Sequence, residues 1–203
     1  MTLLANQALA QGVAFVQAGK PRAASEAFET AIGLQPDATD AHRALAALAM
    51  KHGGVERCLP VLARAALLAP GDGWAHRETG RVLCTLRRFA EAVAPLRHAA
   101  RLGRPDAALL FDLGVALQES GRTPEAIAAY RDALALRSDA RGHHNLASAL
   151  QSTGDIAGAL QNYAQAWALD PAGLPRIAQD LASGRCGRVF LTLDGLKQAL
   201  RAA

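Results

Sequence analysis

Histidine is the residue type in this chain with the widest chemistry, because a neutral imidazole can bind metals and also titrates near neutral pH. Three of the six histidines, His42, His76 and His143, recur at one place in a repeated pattern, and His144 follows directly. Shared zinc ligands need bonds near 2 Å, whereas equivalent positions on packed neighbouring helices lie about 10 Å apart. We therefore expect no metal site and no cofactor.

Cysteine beside histidine could supply a nucleophile. Cys58 takes a place where the other units of the pattern carry alanine, so we expect its thiol to be buried and inert. Cys84 is the remaining candidate nucleophile, and we interpret it as a packing or surface residue. The sequence contains no G-x-S-x-G, Walker A, H-E-x-x-H or dinucleotide motif. We expect no catalytic residues and no enzyme activity.

Composition predicts an all-α chain. Of the 203 residues, 51% are hydrophobic, with alanine dominant, and only 4% are aromatic, which favours closely packed helices over sheets. The net charge of +4 is spread along the chain, so we expect no nucleic-acid partner. Charged residues interrupt every apolar stretch, and we expect no membrane association. The odd number of cysteines favours a reducing compartment, the cytoplasm.

Small residues recur through the chain at a nearly constant interval. A first set is spaced by 34, 34, 34 and 33 residues: Gly12, Ala46, Gly80, Gly114 and Ala147. A second set is Ala24, Cys58, Ala92, Ala126 and Ala159, and a third is Ala31, Ala65, Ala99, Ala133 and Ala166. Large residues keep the same register: Phe28, Leu62, Leu96, Tyr130 and Tyr163. This alternation predicts paired helices, because helices approach closely only where small residues face large ones.

Turn residues divide each unit at matching places. Glycines stand between the two helices at Gly19, Gly53, Gly121 and Gly154, and prolines near the unit ends at Pro36, Pro70, Pro105 and Pro171. In the third repeat Arg87 and Arg88 occupy the place of the glycine, which predicts a looser turn. The fourth repeat lacks the proline, and we expect Ser138 or Asp139 to cap the next helix.

These positions resemble those of the tetratricopeptide repeat (TPR) family, whose unit is a 34-residue helix-turn-helix. The resemblance implies a right-handed α-solenoid of about five repeats within residues 1–173, at about 5–38, 39–72, 73–106, 107–139 and 140–173. For residues 174–203 we expect a capping segment: a helix with Leu174, Ile177 and Leu181 inward, an extended stretch over 188–194, and a last helix from Asp194 with Leu196 and Leu200 inward.

The resemblance also implies a concave groove lined by the first helix of each repeat. In this register the expected partner-binding residues are Arg43, Trp74, Arg77, Arg81, Phe111, His144 and Asn145. Arginines flanked by aromatic residues suit an acidic peptide that carries an apolar anchor, because guanidinium groups bind carboxylates in pairs of hydrogen bonds. The alternative, that these arginines are solvated surface charges, stays open.

The function that we expect is a bacterial-type scaffold or adaptor that binds a peptide or helix of a partner protein. One alternative is a regulatory or substrate-delivery module serving a separately encoded transferase or oxygenase. Another is self-assembly into a homo-oligomer through exposed repeat ends. RNA-binding helical repeats rank lower, because Asp40, Glu78, Asp112 and Glu119 interrupt the basic residues.

Overall fold

The computed structural model describes residues 2–52, 56, 58–183 and 193–203, and in this part of the chain every regular element is helical. Ten helices form five consecutive helix-turn-helix pairs: α1 (Thr2–Gln17) with α2 (Pro21–Leu34), α3 (Thr39–Lys51) with α4 (Cys58–Leu68), α5 (Gly73–Thr85) with α6 (Phe89–Leu102), α7 (Ala107–Glu119) with α8 (Thr123–Leu136), and α9 (Ala140–Ser152) with α10 (Ile156–Leu169). A 3-10 turn at Pro171–Gly173 leads into α11 (Leu174–Ser183), and α12 spans Leu193–Ala202. The all-helical fold class is confirmed.

The helices form two compact units. The first unit is Met1–Arg104 and contains α1 to α6, and the second is Pro105–Ala203 and contains α7 to α12. In each unit the helices pack mainly against their neighbours in sequence. This is the tandem packing of an α-solenoid. None of the described helices has both the length and the apolar character needed to span a bilayer.

In the first, third and fourth pairs, a glycine of the first helix lies against the large residue of the second helix. A methyl group added at Gly12 would overlap the ring of Phe28, one added at Gly80 would overlap Leu96, and one added at Gly114 would overlap Tyr130. The large side chains are fully buried. The predicted alternation of small and large positions is therefore confirmed as the contact between paired helices.

The turns within the first, third, fourth and fifth pairs, which the structure describes, share one geometry, and the looser turn expected in the third repeat is wrong. Gly19, Gly121 and Gly154 have φ angles of 68°, 81° and 89°, and Arg87 adopts the same left-handed conformation with φ of 59°. The amide of Arg88 donates to the carbonyl of Leu83 at 2.8 Å, the bond that closes the other turns. The arginine thus accepts a conformation that normally favours glycine.

Aspartates cap four helices at their N-termini. Asp72 accepts a hydrogen bond from the amide of Trp74, Asp106 from Leu109, Asp139 from Gly142 and Asp155 from Gly158. Asp139 begins α9 where the proline is missing, so the predicted cap is confirmed.

The C-terminal helices bury their apolar faces as predicted. Leu174, Ile177 and Leu181 of α11 are buried, and so are Leu196 and Leu200 of α12. The extended stretch expected over 188–194 lies outside the described residues up to 192. The last helix, expected from Asp194, begins one residue earlier, at Leu193, so the extended stretch is wrong at that residue.

Candidate partner-binding faces

The first helices carry the candidate site, because residues spaced by three or four positions share one side of a helix. We define the first-unit face by these residues of α1, α3 and α5: Asn6, Leu9, Val13, Val16; Asp40, Arg43, Ala47, Met50; Trp74, Arg77, Arg81, Cys84. The second-unit face comprises the equivalent residues of α7 and α9: Ala108, Phe111, Val115, Gln118; Arg141, His144, Ser148, Gln151.

Arg43 and Trp74 are in contact across the two repeats. The guanidinium carbon lies 5.2 Å from the centre of the indole ring, which is a cation–π arrangement. Asp72 forms an ion pair with the same guanidinium group, and its other oxygen caps α5. Two of the predicted site residues are therefore brought together, and a carboxylate from the loop before α5 balances the charge of Arg43.

Arg81 is paired with a carboxylate in its own helix. Its Nη1 donates to both oxygens of Glu78, at 3.1 and 2.9 Å. The Glu78 side chain is only 10% exposed, whereas Arg81 is 48% exposed. Arg77 lies one turn earlier and is half-buried. The basic end of the first-unit face thus carries two guanidinium groups, and that of Arg81 is paired with Glu78.

The second unit repeats the Arg43–Trp74 contact with the two residue types exchanged. Phe111 stands at the position equivalent to Arg43, and Arg141 at the position equivalent to Trp74. The guanidinium carbon of Arg141 lies 4.2 Å from the Phe111 ring centre, and Phe111 is buried. The predicted site residue Phe111 is therefore covered by Arg141 instead of being presented to a partner.

Glutamines of the second-unit face are bonded to the large core residues. The Tyr130 hydroxyl donates to Gln118 Oε1 at 3.0 Å, and the Tyr163 hydroxyl donates to Gln151 Oε1 at 3.0 Å. The Asn145 side chain also hydrogen-bonds Tyr130. Burial raises the pKa of the Tyr130 hydroxyl, and this hydrogen bond partly offsets the rise. Asn145, a predicted site residue, thus lies half-buried beside a core tyrosine.

His144, another predicted site residue, lies beneath α11. Its side chain is 8% exposed, and its Nε2 atom is 2.9 Å from Asp180 Oδ2. Burial lowers the pKa of His144, and nearby Arg176 lowers it further, while Asp180 acts in the opposite direction. Gln151 also donates to the backbone carbonyl of Asp180 at 3.1 Å. A partner cannot reach His144 while α11 occupies this place.

Histidines and cysteines elsewhere form small contacts. The rings of His76 and His98 meet edge to face at 4.3 Å, and Cys58 is fully buried, with burial raising the pKa of its thiol. Throughout the residues that the structure describes, no three His, Cys, Asp or Glu side chains are grouped so as to hold a metal ion.

Sequence reasoning missed two residues that shape these faces, Asp72 and Asp180. Asp72 carried a signal, since an aspartate just before a first helix is a typical N-cap. Asp180 lies after the last repeat, so no repeat position pointed to it. In the sequence, nothing distinguished Arg141 from the other arginines of the first helices.

The chain is similar to TPR proteins along most of its length. A tetratricopeptide repeat family model matches residues 9–73, 77–143 and 111–173. The chain therefore belongs to the tetratricopeptide repeat family. No curated protein matches it in sequence.

Solved structures share the fold. MamA from Desulfovibrio magneticus RS-1, residues 41 to the end, superposes with a TM-score of 0.76 at 17% identity, covering 83% of this chain and 96% of that one. YrrB, described as a TPR protein with an unusual peptide-binding site, gives 0.69 at 22% identity over 78% and 84%. A thermophilic TPR protein of Thermus thermophilus, TTC0263, gives 0.58 at 25% identity over 87% and 98%.

Proposed function

We propose that this chain is a non-catalytic adaptor that binds a peptide or helix of a partner protein on its first-unit face. The observation that carries the proposal is the exposure of apolar side chains there: Val13 is 44% and Val16 38% exposed on α1. Exposed apolar side chains that adjoin charged groups are typical of recognition surfaces. The odd cysteine count supports a cytoplasmic setting.

The distribution of residue types along this face supports the ligand chemistry. Leu9, Val13 and Val16 make the α1 end apolar, whereas Arg77 and Arg81 make the α5 end basic. A ligand with an apolar anchor and an acidic flank matches both ends. Arg43 of α3 lies between them and contacts Trp74 at the start of α5, and the ion pair of Arg43 with Asp72 holds it against the indole ring. A fixed aromatic ring loses little entropy when it contacts a ligand.

A displayed peptide library selected on the full chain tests this proposal. We expect the selected peptides to combine an aromatic or aliphatic residue with two or more carboxylates. Binding of one such peptide is then measured by fluorescence anisotropy against Arg77→Glu and Val13→Asp, with Arg131→Glu as control, because Arg131 is an exposed arginine of α8 in the second unit. Arg77 is preferable to Arg81, whose reversal would place a second carboxylate beside buried Glu78.

We expect each face variant to weaken binding at least tenfold, while the control changes it less than twofold. Circular dichroism of each variant checks that helicity is retained. Equal binding by all four proteins, or selected peptides without acidic residues, would show that the first-unit face is not the binding surface. Delivery to a separately encoded enzyme would use the same face. The adaptor and delivery functions are distinguished by whether the protein that contains the selected sequence is an enzyme.

Self-association has one observation in its favour. Leu3 and Leu4 near the start of α1 are 71% and 57% exposed, and burying two leucines between copies would be favourable. Sedimentation velocity should show a concentration-dependent dimer that Leu3→Lys with Leu4→Lys abolishes. A monomer at all concentrations would remove this candidate.

A further inference from the structure

A cleft of about 360 Å³ opens between the first and second repeats. Its walls come from α2, α3 and α4, and the side chains that argue for a site are Ser25, Leu45, Leu48, Ala49 and Val61. None of them belongs to the first-unit face. Leu45 and Leu48 pack against Phe28, and Ala49 and Val61 pack against the core around Leu62. The walls are therefore held by the core of the first unit.

The cleft arises from two small residues at positions where other repeats have large ones. Ser25 occupies the position of Leu59, Val93, Ile127 and Leu160 in the following repeats. Ala49 occupies the position of Phe15, Leu83, Leu117 and Leu150. Both small residues line the same cleft. The junction of the first two repeats thus lacks the apolar side chains that fill the equivalent places elsewhere.

The size of the cleft suits a small molecule. An apolar cavity of about 150 Å³ is large enough for a benzene ring, and ligand sites commonly span about 300 to 1,000 Å³. The walls are mainly aliphatic, so the body of the ligand should be apolar. A compact bicyclic or branched aliphatic group would fit the space.

Charge at the mouth of the cleft adds a preference for an anion. Arg22 lies at the mouth, where Glu29 already accepts a hydrogen bond from the Ser25 hydroxyl at 3.2 Å. Arg22 itself is exposed, whereas Glu29 is engaged by Ser25. The guanidinium group of Arg22 can therefore receive a carboxylate or sulfonate of a ligand.

We infer that the cleft binds a small amphiphilic monoanion, with its apolar body against Leu45, Leu48 and Val61 and its acidic group on Arg22. The inference does not depend on the proposed function, since the two sites share no residue. It assigns to the junction of the first two repeats a small-molecule site in addition to the peptide-binding face.

The test uses a matched pair of fluorescent probes with the full chain. The probes are 8-anilinonaphthalene-1-sulfonate and its uncharged analogue N-phenyl-1-naphthylamine. The filled variant Ser25→Leu with Ala49→Leu places in the cleft the residue type that other repeats carry there. The control Ala128→Leu adds a leucine at an exposed position of α8. Arg22→Gln removes only the charge at the mouth.

We expect both probes to bind the wild-type chain at one saturable site and the control to behave alike. The filled variant should bind both probes at least tenfold more weakly and should melt at a higher temperature, because added methyl groups occupy apolar space. Arg22→Gln should weaken only the sulfonate, by about threefold, as expected for an exposed ion pair. Unchanged binding by the filled variant, a lower melting temperature, or no saturable binding by the wild type would overturn the inference.

Discussion

The two compact units use the same register positions in opposite ways. In the first unit Arg43 bridges to Trp74 of the next repeat, and both remain partly exposed on an otherwise open face. In the second unit the equivalent pair is Phe111 and Arg141, with the ring buried beneath the guanidinium group. The same pair of positions can therefore leave an aromatic ring partly exposed or bury it, depending on which of the two residues is aromatic.

A second difference between the units lies in their helix pairs. Tyr130 and Tyr163 in the second unit donate hydrogen bonds to Gln118 and Gln151. In the first unit the positions of those glutamines are held by Val16, Met50 and Cys84. Those glutamines belong to the second-unit face, and their side-chain oxygens accept hydrogen bonds from core tyrosines. Together with α11 over His144, these bonds tie part of the second-unit face to the folded core.

The largest expected effect compares two glycines. Gly114→Ala should lower the free energy of unfolding by about 3 kcal/mol, because the added methyl overlaps the ring of Tyr130, which its bond to Gln118 holds in place. Gly80→Ala should cost less, about 1 kcal/mol, because no hydrogen bond holds the overlapped Leu96 side chain in place. Chemical denaturation measures both.

Gly33→Ala is the control for those two variants, since Gly33 lies in a helix with open space around it. It should stabilise the chain by about 0.5 to 1 kcal/mol through helix propensity. Equal losses at Gly80 and Gly114 would contradict the view that the second unit is the more rigidly held of the two.

The repeat pattern made these contacts predictable, because paired helices depend on residues close in sequence. The faces were harder to predict. Arg43, Trp74, Arg77 and Arg81 were placed on one side of their helices, yet the ion pair of Arg43 with Asp72 depends on the course of a loop. The burial of His144 depends on α11, which follows the last repeat and has no equivalent within it.

Removal of each tyrosine hydroxyl should show that the two tyrosine–glutamine hydrogen bonds of the second unit contribute unequally to stability. Tyr163→Phe leaves the buried Gln151 without the hydroxyl donor, so we expect a loss of about 1.5 kcal/mol. Tyr130→Phe should cost only about 0.5 kcal/mol, because Gln118 is partly exposed and water can replace the hydroxyl. Thermal unfolding of both variants provides the comparison, and a reversed order would refute it.

Acidic pH should weaken the contact between α11 and α9. Burial lowers the pKa of His144 in the folded chain below its unfolded value near 6.5, so its contribution is present above pH 6.5 and decreases as pH falls toward the folded pKa. We expect wild-type stability to fall by up to about 1 kcal/mol more than that of His144→Gln between pH 7 and pH 5. Parallel pH profiles would contradict this role.

The smallest expected effect concerns the turn of the third repeat. Arg87→Gly should stabilise the first unit by about 0.5 kcal/mol, because glycine adopts the positive φ without strain, although the contact of Arg87 with the Phe89 ring is lost. Gly121→Ala, the matched change in the second unit, should destabilise by about 1 kcal/mol. A loss of stability in Arg87→Gly would show that the ring contact outweighs the strain.

The chain's two tryptophans allow the most direct test, because Trp74 lies on the first-unit face and Trp167 lies on α10 of the second unit, beneath Arg201. A peptide selected on the full chain is titrated into Trp167→Phe, which leaves Trp74 as the reporter, and into Trp74→Phe, which leaves Trp167. Binding on the first-unit face predicts a saturable change in the emission of Trp74 and no change in that of Trp167. A change confined to Trp167 would contradict it.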